Sequence, residues 1–321
     1  MINRRRLGKT DLLVSEIGLG CQQLGGETRI NDKPIAFGNL DEKTTHEIIN
    51  TAYELGVNTF DTADYYSLGE SEKRLGTAIK EYRSDVNLFT KGGKIPGVSH
   101  ESVDLSYHYL MSAIDRSLER LQTDYVDLFQ THKPLESQYE YDNVEKAFKE
   151  MKAEGKARYC GVSVGVKFDL GIDLINKADF VDSIMIYFSL IDPHPLKQLL
   201  QLAKKNGVGV IIAEPLAQGL LTGKYKPGFE FPESDVRYHG YDKNLLQMKL
   251  ERSQKYEFLI NESRTANQVA LSYVLSRNEI SCCIPGSKSI EQLKSNIVSS
   301  DIILTSDELK KIEDIQNEWI V

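Results

Sequence analysis

Short apolar runs alternate with helical patterns along the chain, and this alternation limits the possible folds more than any other feature. Eight runs are present, at residues 17–20, 57–60, 86–90, 125–131, 158–163, 183–188, 208–213 and 280–285. Continuous apolar strands that alternate with helices are typical of a parallel sheet covered by helices. Eight units of about forty residues predict a (β/α)8 TIM barrel rather than a doubly wound sheet. Residues 3–7 and 12–15 predict an N-terminal β-hairpin, and extra C-terminal helices are expected.

Composition and charge limit the organisation and the partners of the chain. No change of composition marks a linker, so residues 1–321 are predicted to form a single domain. The net charge of −8 argues against nucleic acid or an anionic membrane as a partner. No stretch suggests a membrane span or a signal peptide, so a cytoplasmic location is expected. No predicted helix shows an obvious exposed apolar stripe, which favours a monomer or a weak homo-oligomer.

The four cysteines are Cys21, Cys160, Cys282 and Cys283, and their spacing matches no metal-ligand pattern. Cys282 and Cys283 are adjacent within an apolar run, which predicts two buried thiols rather than a disulfide. No metal site is therefore predicted.

Four polar side chains are predicted to lie at the carboxyl ends of three consecutive strands. Asp61 follows the run 57–60, and Tyr66 comes five residues later, in the segment Asp-Thr-Ala-Asp-Tyr-Tyr. Lys91 ends the next run and His132 ends the one after it. Because barrels of parallel strands build their chemistry at this rim, we expect the four side chains to converge there.

These residue types together suit proton donation to an oxygen. A free tyrosine has a pKa near ~10, and a neighbouring ammonium such as that of Lys91 lowers it. Asp61 would hold the lysine charged, while His132 hydrogen-bonds the incoming oxygen. Such positioned acid–base help contributes about 10²–10⁴ in rate, and a carbonyl that receives hydride needs it. Taken singly, each residue also fits a structural role: a helix cap, a loop aromatic, a solvated lysine, a histidine bonded to backbone.

Signals for a nucleotide lie in the second half of the chain. Residues 285–289 follow the last strand and open a helix, where Lys288 and Ser287 suit a phosphate group. Gln292 and Asn296 are four residues apart, so their amides share the helix face that would meet an adenine.

A second glycine-containing loop, 219–224, offers a lysine for a pyrophosphate. A capped surface helix and a plain glycine turn remain alternatives for these two loops. The fingerprint of the doubly wound dinucleotide fold is absent, because Gly18 and Gly20 are followed by Gln23 where a third glycine or alanine is needed.

Taken together, these motifs resemble the aldo-keto reductase superfamily over about residues 5–296. The segments that carry the resemblance are 7–10, 14–20, 61–76, 90–93, 117–128, 130–134, 215–225 and 284–288. The resemblance implies a (β/α)8 barrel with NADPH extended across its C-terminal mouth and transfer of the 4-pro-R hydride. It also implies that Tyr66 is the general acid, that Lys91 and Asp61 tune it, and that His132 positions the substrate oxygen.

The same resemblance implies which residues hold NADPH/NADP+. It places the pyrophosphate near 222–224 and Arg237, the 2′-phosphate near Ser287 and Lys288, and the adenine near Gln292 and Asn296. The implied cofactor-binding set is Gly20, Cys21, Gln22, Asp61, Ser163, Met185, Ala213, Glu214, Pro215, Leu216, Gln218, Gly219, Thr222, Lys224, Arg237, Gly286, Ser287, Lys288, Gln292 and Asn296.

Three implied nicotinamide contacts depart from the commoner family pattern. Val164 stands after Ser163 where the family often has asparagine, and Met185 aligns with a usual glutamine. Ala213 aligns with the aromatic residue that often stacks on the ring, so the neighbouring Tyr187 or Phe188 is a candidate to supply that stack.

The predicted function is NADPH-dependent reduction of an aldehyde, ketone or sugar-like carbonyl, with a small-molecule carbonyl substrate as partner. One alternative is a cofactor-binding regulatory subunit with little turnover, like the potassium-channel β subunits. Another is a Schiff-base lyase that uses Lys91 as the nucleophile. Pocket walls are expected from 21–41, 92–100, 133–141 and 226–241, and the candidate lids are Tyr65, Tyr139 and Tyr238.

Overall fold

The computed structural model describes residues 2–30, 33–34, 36–95, 102–134, 139–192, 196–238 and 240–319. Its strands, numbered in chain order, are β1 Arg4–Arg6, β2 Leu13–Ser15, β3 Leu19–Gly20, β4 Arg29–Ile30, β5 Lys33–Pro34, β6 Thr59–Asp61, β7 Asn87–Gly92, β8 Val126–His132, β9 Ala157–Gly165, β10 Ser183–Tyr187, β11 Gly209–Ala213 and β12 Cys282–Cys283. Its helices are α1 Glu42–Glu54, α2 Glu70–Ile79, α3 Tyr107–Leu121, α4 Tyr141–Ala153, α5 Phe168–Lys177, α6 Leu196–Asn206, α7 Lys243–Gln254, α8 Ala266–Leu275, α9 Ile290–Val298 and α10 Ser306–Asn317.

Eight parallel strands form one sheet in the order β3-β6-β7-β8-β9-β10-β11-β12. Single bridges join Ile17 to Cys283 and Gly20 to Gly286, so the first strand also meets the last. A Cβ on Gly20 would lie 2.7 Å from the carbonyl oxygen of Ile284, so only glycine permits this approach. The sheet curls into a barrel surrounded by helices, which confirms the predicted (β/α)8 fold.

The N-terminal hairpin, β1 with β2, covers the end of the barrel opposite the rim that carries the predicted site. Leu7 is buried in the cluster of side chains inside the barrel, together with Phe89, Leu128 and Ile211. The backbone N–H of Lys9 donates to the carbonyl of Gly207 at 2.7 Å. The predicted hairpin is therefore confirmed, and it leaves the carboxyl ends of the strands open.

A second, larger cluster of apolar side chains lies between the strands and the helices. On α3, Leu110, Ile114 and Leu121 are buried in this cluster and Leu118 packs against it partly buried, and Ser106 caps the helix by accepting from the N–H of Tyr109. All four cysteines are buried and free, as predicted for the adjacent pair. Within the described ranges, no helix is long and apolar enough to cross a membrane.

Two elements lie inside segments for which no regular structure was predicted. The small hairpin β4–β5 lies within the predicted wall 21–41, and α7 lies in the long stretch between the runs 208–213 and 280–285, just after the predicted wall 226–241. The last barrel strand is also shorter than the predicted run 280–285: on either side of Cys282–Cys283 the backbone is joined to β11 by single hydrogen bonds, from Ser281 to Val210 and from Ile284 to Ile212. The predicted C-terminal helices are present as α9 and α10.

Candidate active site

The barrel brings the predicted rim residues together. Asp61 ends β6, Lys91 lies in β7, His132 ends β8, and Tyr66 begins the turn that leads into α2. Asp61 and Lys91 are each only 1% exposed, and His132 is 3% exposed. Burial of two charged side chains side by side calls for close pairing, because an unpaired buried charge is strongly unfavourable.

The Lys91 ammonium is the centre of this arrangement. It donates to Oδ1 of Asp61 at 2.5 Å, to the carbonyl of Thr62 at 2.8 Å and to the hydroxyl of Tyr66 at 3.3 Å. These three contacts use all three ammonium protons. Because the Tyr66 oxygen accepts from Lys91, its own proton is left for another acceptor.

The charge of Lys91 is well supported. Burial acts to lower its pKa, but the Asp61 carboxylate and the Tyr66 oxygen outweigh burial and raise the pKa above the usual lysine value. The side chain therefore stays an ammonium throughout the physiological pH range. A lysine in this state is a poor nucleophile, since attack on a carbonyl needs a free amine.

The Tyr66 phenol differs from the sequence-based expectation. Burial raises its pKa above the usual tyrosine value, and the opposing effect of Lys91 offsets only part of that rise. Lys91 acts in the predicted direction, but the predicted net lowering of the pKa is wrong for this structure. The phenol is consequently protonated at neutral pH, which is the form that a proton donor requires.

The His132 imidazole lies against Tyr66, with ring centroids 5.7 Å apart and planes at 86°. Burial lowers the pKa of His132 well below 6.5, and Lys91, Lys94 and Lys133 lower it further. Its Nδ1 has no hydrogen-bond partner in the described part of the chain. His132 is thus a neutral ring, able to hydrogen-bond a substrate oxygen but unsuited to carry a full positive charge.

The turn that holds Tyr66 has an uncommon backbone. Ser67 and Leu68 both adopt left-handed conformations, with φ of 49° and 56°. The Ser67 hydroxyl donates to the carbonyl of Gly26, and a Cβ on Gly25 would lie 2.4 Å from that hydroxyl. The loop after β3 therefore packs tightly against the turn and fixes the phenol. Strained residues of this kind often accompany functional sites.

A cleft of about 500 Å³ runs across the carboxyl ends of the strands, with Tyr66 and His132 in its wall. Most of the predicted cofactor-binding residues line it. They are Gly20, Gln22, Asp61, Ser163, Met185, Ala213, Glu214, Pro215, Leu216, Gln218, Gly219, Thr222, Lys224, Arg237, Gly286, Lys288, Gln292 and Asn296.

Two members of that predicted set do not line the cleft. Cys21 is fully buried, and its thiol lies 3.5 Å from the carbonyl oxygen of Leu19. Ser287 is 1% exposed, and its hydroxyl accepts from Nδ2 of Asn296 at 3.2 Å. Ser287 therefore orients the Asn296 amide without lining the cleft itself.

Cations gather at one end of the cleft. Arg237 holds Asp235 through two parallel contacts of 2.8 and 2.6 Å, which occupies most of its guanidinium. Burial lowers the pKa of Lys288, and nearby Arg237 and Lys224 lower it further. Among the residues that the structure describes, no carboxylate lies within ion-pair distance of Lys224 or Lys288. The field at this end favours an anionic ligand.

The amides predicted to meet an adenine already have partners. The Gln292 carbonyl oxygen accepts from the backbone N–H of Lys288 at 2.9 Å, and the Asn296 carbonyl oxygen accepts from Asn267 at 3.0 Å. Gln23 and Phe37, within the predicted wall 21–41, also line the cleft, and the lining residues missed from the sequence are Tyr225, Asn267, Glu291 and Ser295. Asn267 lies on α8, far from any strand end, so no local signal pointed to it.

The structure separates the two candidates for ring stacking. Tyr187 lines the cleft, and the Lys133 ammonium lies 4.5 Å from the centroid of its ring. Phe188 points the other way, is 3% exposed and packs on Tyr273. Tyr187 is therefore the aromatic side chain of this pair that a cofactor ring can reach.

The three residues predicted as lids differ in how far they are exposed. Tyr139 is 7% exposed and packs against Tyr141 in the apolar core, so it is not a lid. Tyr65 is also buried, beneath the Lys94 ammonium, whereas Tyr238 is 43% exposed. Parts of the predicted walls 92–100 and 133–141 lie outside the described residues.

The chain is similar to known proteins over nearly its whole length. The sequence matches the model of the Aldo/keto reductase family over residues 16–317. The uncharacterized oxidoreductase YqkF of Bacillus subtilis (strain 168) is 35% identical over 97% of this chain and 96% of its own length. A putative voltage-gated potassium channel subunit beta of Schizosaccharomyces pombe (strain 972 / ATCC 24843) is 30% identical over 98% and 93% of the two chains. The holo form of aldo-keto reductase AKR11C1 from Bacillus halodurans, a solved structure, is similar with a TM-score of 0.80 and 29% identity, covering 98% of this chain and 96% of that chain. This chain therefore belongs to the aldo/keto reductase family.

Proposed function

We propose that this oxidoreductase reduces an aldehyde, ketone or sugar-like carbonyl to the alcohol with NADPH, and that Tyr66 donates the proton. The observation that carries the proposal is the contact of Lys91 with both Asp61 and the Tyr66 hydroxyl. It leaves a protonated phenol facing the cleft with a fixed positive charge behind it.

The chain's own residues perform the proton side of this reaction. His132 and Tyr66 lie edge to face, so both can hydrogen-bond one carbonyl oxygen placed between them. As negative charge develops on that oxygen, the phenol passes its proton to it, and the Lys91 ammonium stabilises the phenolate left behind. Burial strengthens both interactions, since little water screens them.

The cleft fits a nicotinamide dinucleotide phosphate. When bound, this cofactor supplies the hydride. Lys288 and Lys224 suit its phosphate groups, because neither is neutralised by an ion pair within the described residues. Tyr187 suits an aromatic contact at the other end, near Met185 and Ala213. Two lysines that no described carboxylate pairs with, at one end of the cleft, favour the phosphorylated cofactor over NADH.

Two other functions were open at the sequence level. A Schiff-base mechanism at Lys91 is disfavoured, because its three protons are donated and its pKa is raised. A regulatory role with little turnover has one observation in its favour, the similarity to a protein named as a potassium channel subunit beta. The intact set of Asp61, Tyr66, Lys91 and His132 favours the enzyme.

A panel of aldehydes, ketones and sugars tests the proposal, with loss of NADPH absorbance as the readout. The wild type is expected to reduce several members of the panel. Tyr66→Phe is expected to lose about 10²–10⁴ in rate. Tyr65→Phe, which removes the hydroxyl of the neighbouring residue, is expected to keep most of the wild-type rate. Tight NADPH binding without turnover on any member would select the regulatory function instead.

A further inference from the structure

Three lysines lie on the loops after three consecutive strands, at the carboxyl end of the barrel that also carries Tyr66 and His132. Lys94 follows β7 by two residues, Lys133 comes directly after β8, and Lys167 follows β9 by two residues. Lys167 donates to the carbonyl of Pro134 at 2.7 Å. The proposed proton donation by Tyr66 and His132 does not involve these three lysines. Lys224 and Lys288, which are proposed to bind phosphate, lie at the other end of the cleft.

Lys94 is the most unusual of the three. It is 6% exposed, and its ammonium lies 4.5 Å from the centroid of the Tyr65 ring, which in turn meets His132 at 6.3 Å. Among the described residues, no hydrogen-bond acceptor or carboxylate lies within bonding distance of this ammonium. Lysine is almost never buried without a partner, because desolvating its charge is unfavourable.

Lys133 directly follows His132 in the chain, and its charge acts on Lys94. Its ammonium lies over the Tyr187 ring at 4.5 Å, beside the cleft, and it forms no ion pair with any described residue. The fields of Lys94 and Lys133 both reach His132, which places both charges near the proposed position of the carbonyl.

Two carboxyl groups act on these lysines, and neither neutralises them. The field of Asp64 reaches Lys94, but burial and the nearby Glu72 raise the pKa of Asp64 to about 8, so it is mainly protonated at neutral pH. The field of Glu214 reaches Lys133, but the two side chains form no ion pair, and Glu214 also accepts from the Gln218 amide at 3.2 Å. A local excess of positive charge remains, in a chain whose net charge is −8.

We propose that Lys94 and Lys133 form an anion subsite that holds a carboxylate or phosphate on the carbonyl substrate. This inference rests on the proposed reduction at Tyr66 and His132, and it narrows the substrate class to carbonyl compounds that carry a negative charge. The subsite supplies a counter-charge for Lys94, which forms no ion pair within the described residues, and it orients the substrate so that its carbonyl meets the phenol.

Matched substrate pairs test the subsite. One pair is 4-formylbenzoate and its methyl ester; the other is glyceraldehyde 3-phosphate and glyceraldehyde. We expect kcat/KM to favour the charged member of at least one pair by about tenfold or more, and the preferred pair identifies carboxylate or phosphate. Lys94→Met is expected to remove about 10- to 100-fold of that preference, chiefly through KM, while the neutral member changes little.

Two control variants test whether the loss of preference arises from the charge of Lys94. Lys94→Arg keeps the charge and is expected to retain most of the preference. Lys149→Met, which removes a lysine exposed on α4, is expected to retain all of it. Equal loss for charged and neutral members in Lys94→Met would overturn the proposal, because it would show a general effect on the site. The absence of any preference in the wild type would overturn it as well.

A binding measurement separates this inference from the proposed reaction. If the wild type reduces no carbonyl, binding of 4-(hydroxymethyl)benzoate and of its methyl ester to the protein with NADP+ is compared by calorimetry. Preference for the anion that is lost in Lys94→Met supports the subsite even then. Equal binding of the anion and its methyl ester to the wild type would overturn the proposed subsite.

Discussion

Replacing Lys91 with methionine is the perturbation whose outcome follows most directly from the geometry. The ammonium and the Asp61 carboxylate are 2.5 Å apart, and both side chains are 1% exposed. Removing one member of a buried ion pair leaves the other without compensation, which destabilises a protein by about 3–5 kcal/mol. With an unfolding entropy of about 2.1 cal/mol/K per residue, 321 residues give about 0.7 kcal/mol/K. Lys91→Met is therefore expected to lower Tm by about 4–7 °C.

The double variant Asp61→Asn/Lys91→Met separates charge from packing. It removes both charges together, so it is expected to melt within about 2 °C of the wild type. Its activity is expected to stay as low as that of Lys91→Met, about 10²–10⁴ below the wild type, because no cation remains behind the Tyr66 phenol.

Thermal melting by circular dichroism and kcat/KM on one reduced aldehyde give the two readouts. Lys73→Met, at an exposed lysine on α2, is the matched control and is expected to change neither. Equal loss of Tm in the single and double variants would refute the reasoning, because the loss would then arise from packing. Full activity in Lys91→Met would refute the catalytic part.

Three further outcomes are expected. Lys288→Met should weaken NADPH binding by about tenfold or more and leave NADH binding nearly unchanged, whereas Lys294→Met, on the exposed face of α9 just after that loop, should affect neither. Tyr187→Ala should speed cofactor dissociation, and the exposed Phe258→Ala should not; equal rates in stopped flow would exclude the stacking role. The folded-state pKa of Asp64, about 8, lies above that of an unfolded aspartate, so stability should fall as pH rises toward 8, by at most about 1.4 kcal/mol per pH unit. Asp64→Asn should remove that slope in urea titrations across pH 5–9.

The barrel and the cluster of four polar side chains at its rim could be predicted from the sequence because both depend on local patterns. A strand that is buried on both faces produces a continuous apolar run, and its last residue marks the rim. Asp61, Lys91 and His132 each end such a run, so their convergence followed once the parallel order was assumed. Tyr66 could be placed with them because it lies only five residues after Asp61.

Other features depend on contacts between distant segments, and these could not be predicted. Asn267 reaches the cleft because α8 packs beside α9, and Tyr139 is buried because it meets Tyr141 in the core. The direction of the pKa shift of Tyr66 could not be predicted without the depth of its burial, because burial raises the pKa by more than the neighbouring Lys91 lowers it. Ser287 was predicted to meet a phosphate, but its hydroxyl faces Asn296 instead.

Transfer of deuterium from 4-deuterated NADPH to the product alcohol, followed in a single turnover, tests the central claim most directly. The wild type is expected to place the label on the carbinol carbon. Tyr66→Phe is expected to bind NADPH with unchanged Kd but to transfer the label about 10²–10⁴ more slowly. Transfer by Tyr66→Phe at the wild-type rate would contradict proton donation by this phenol.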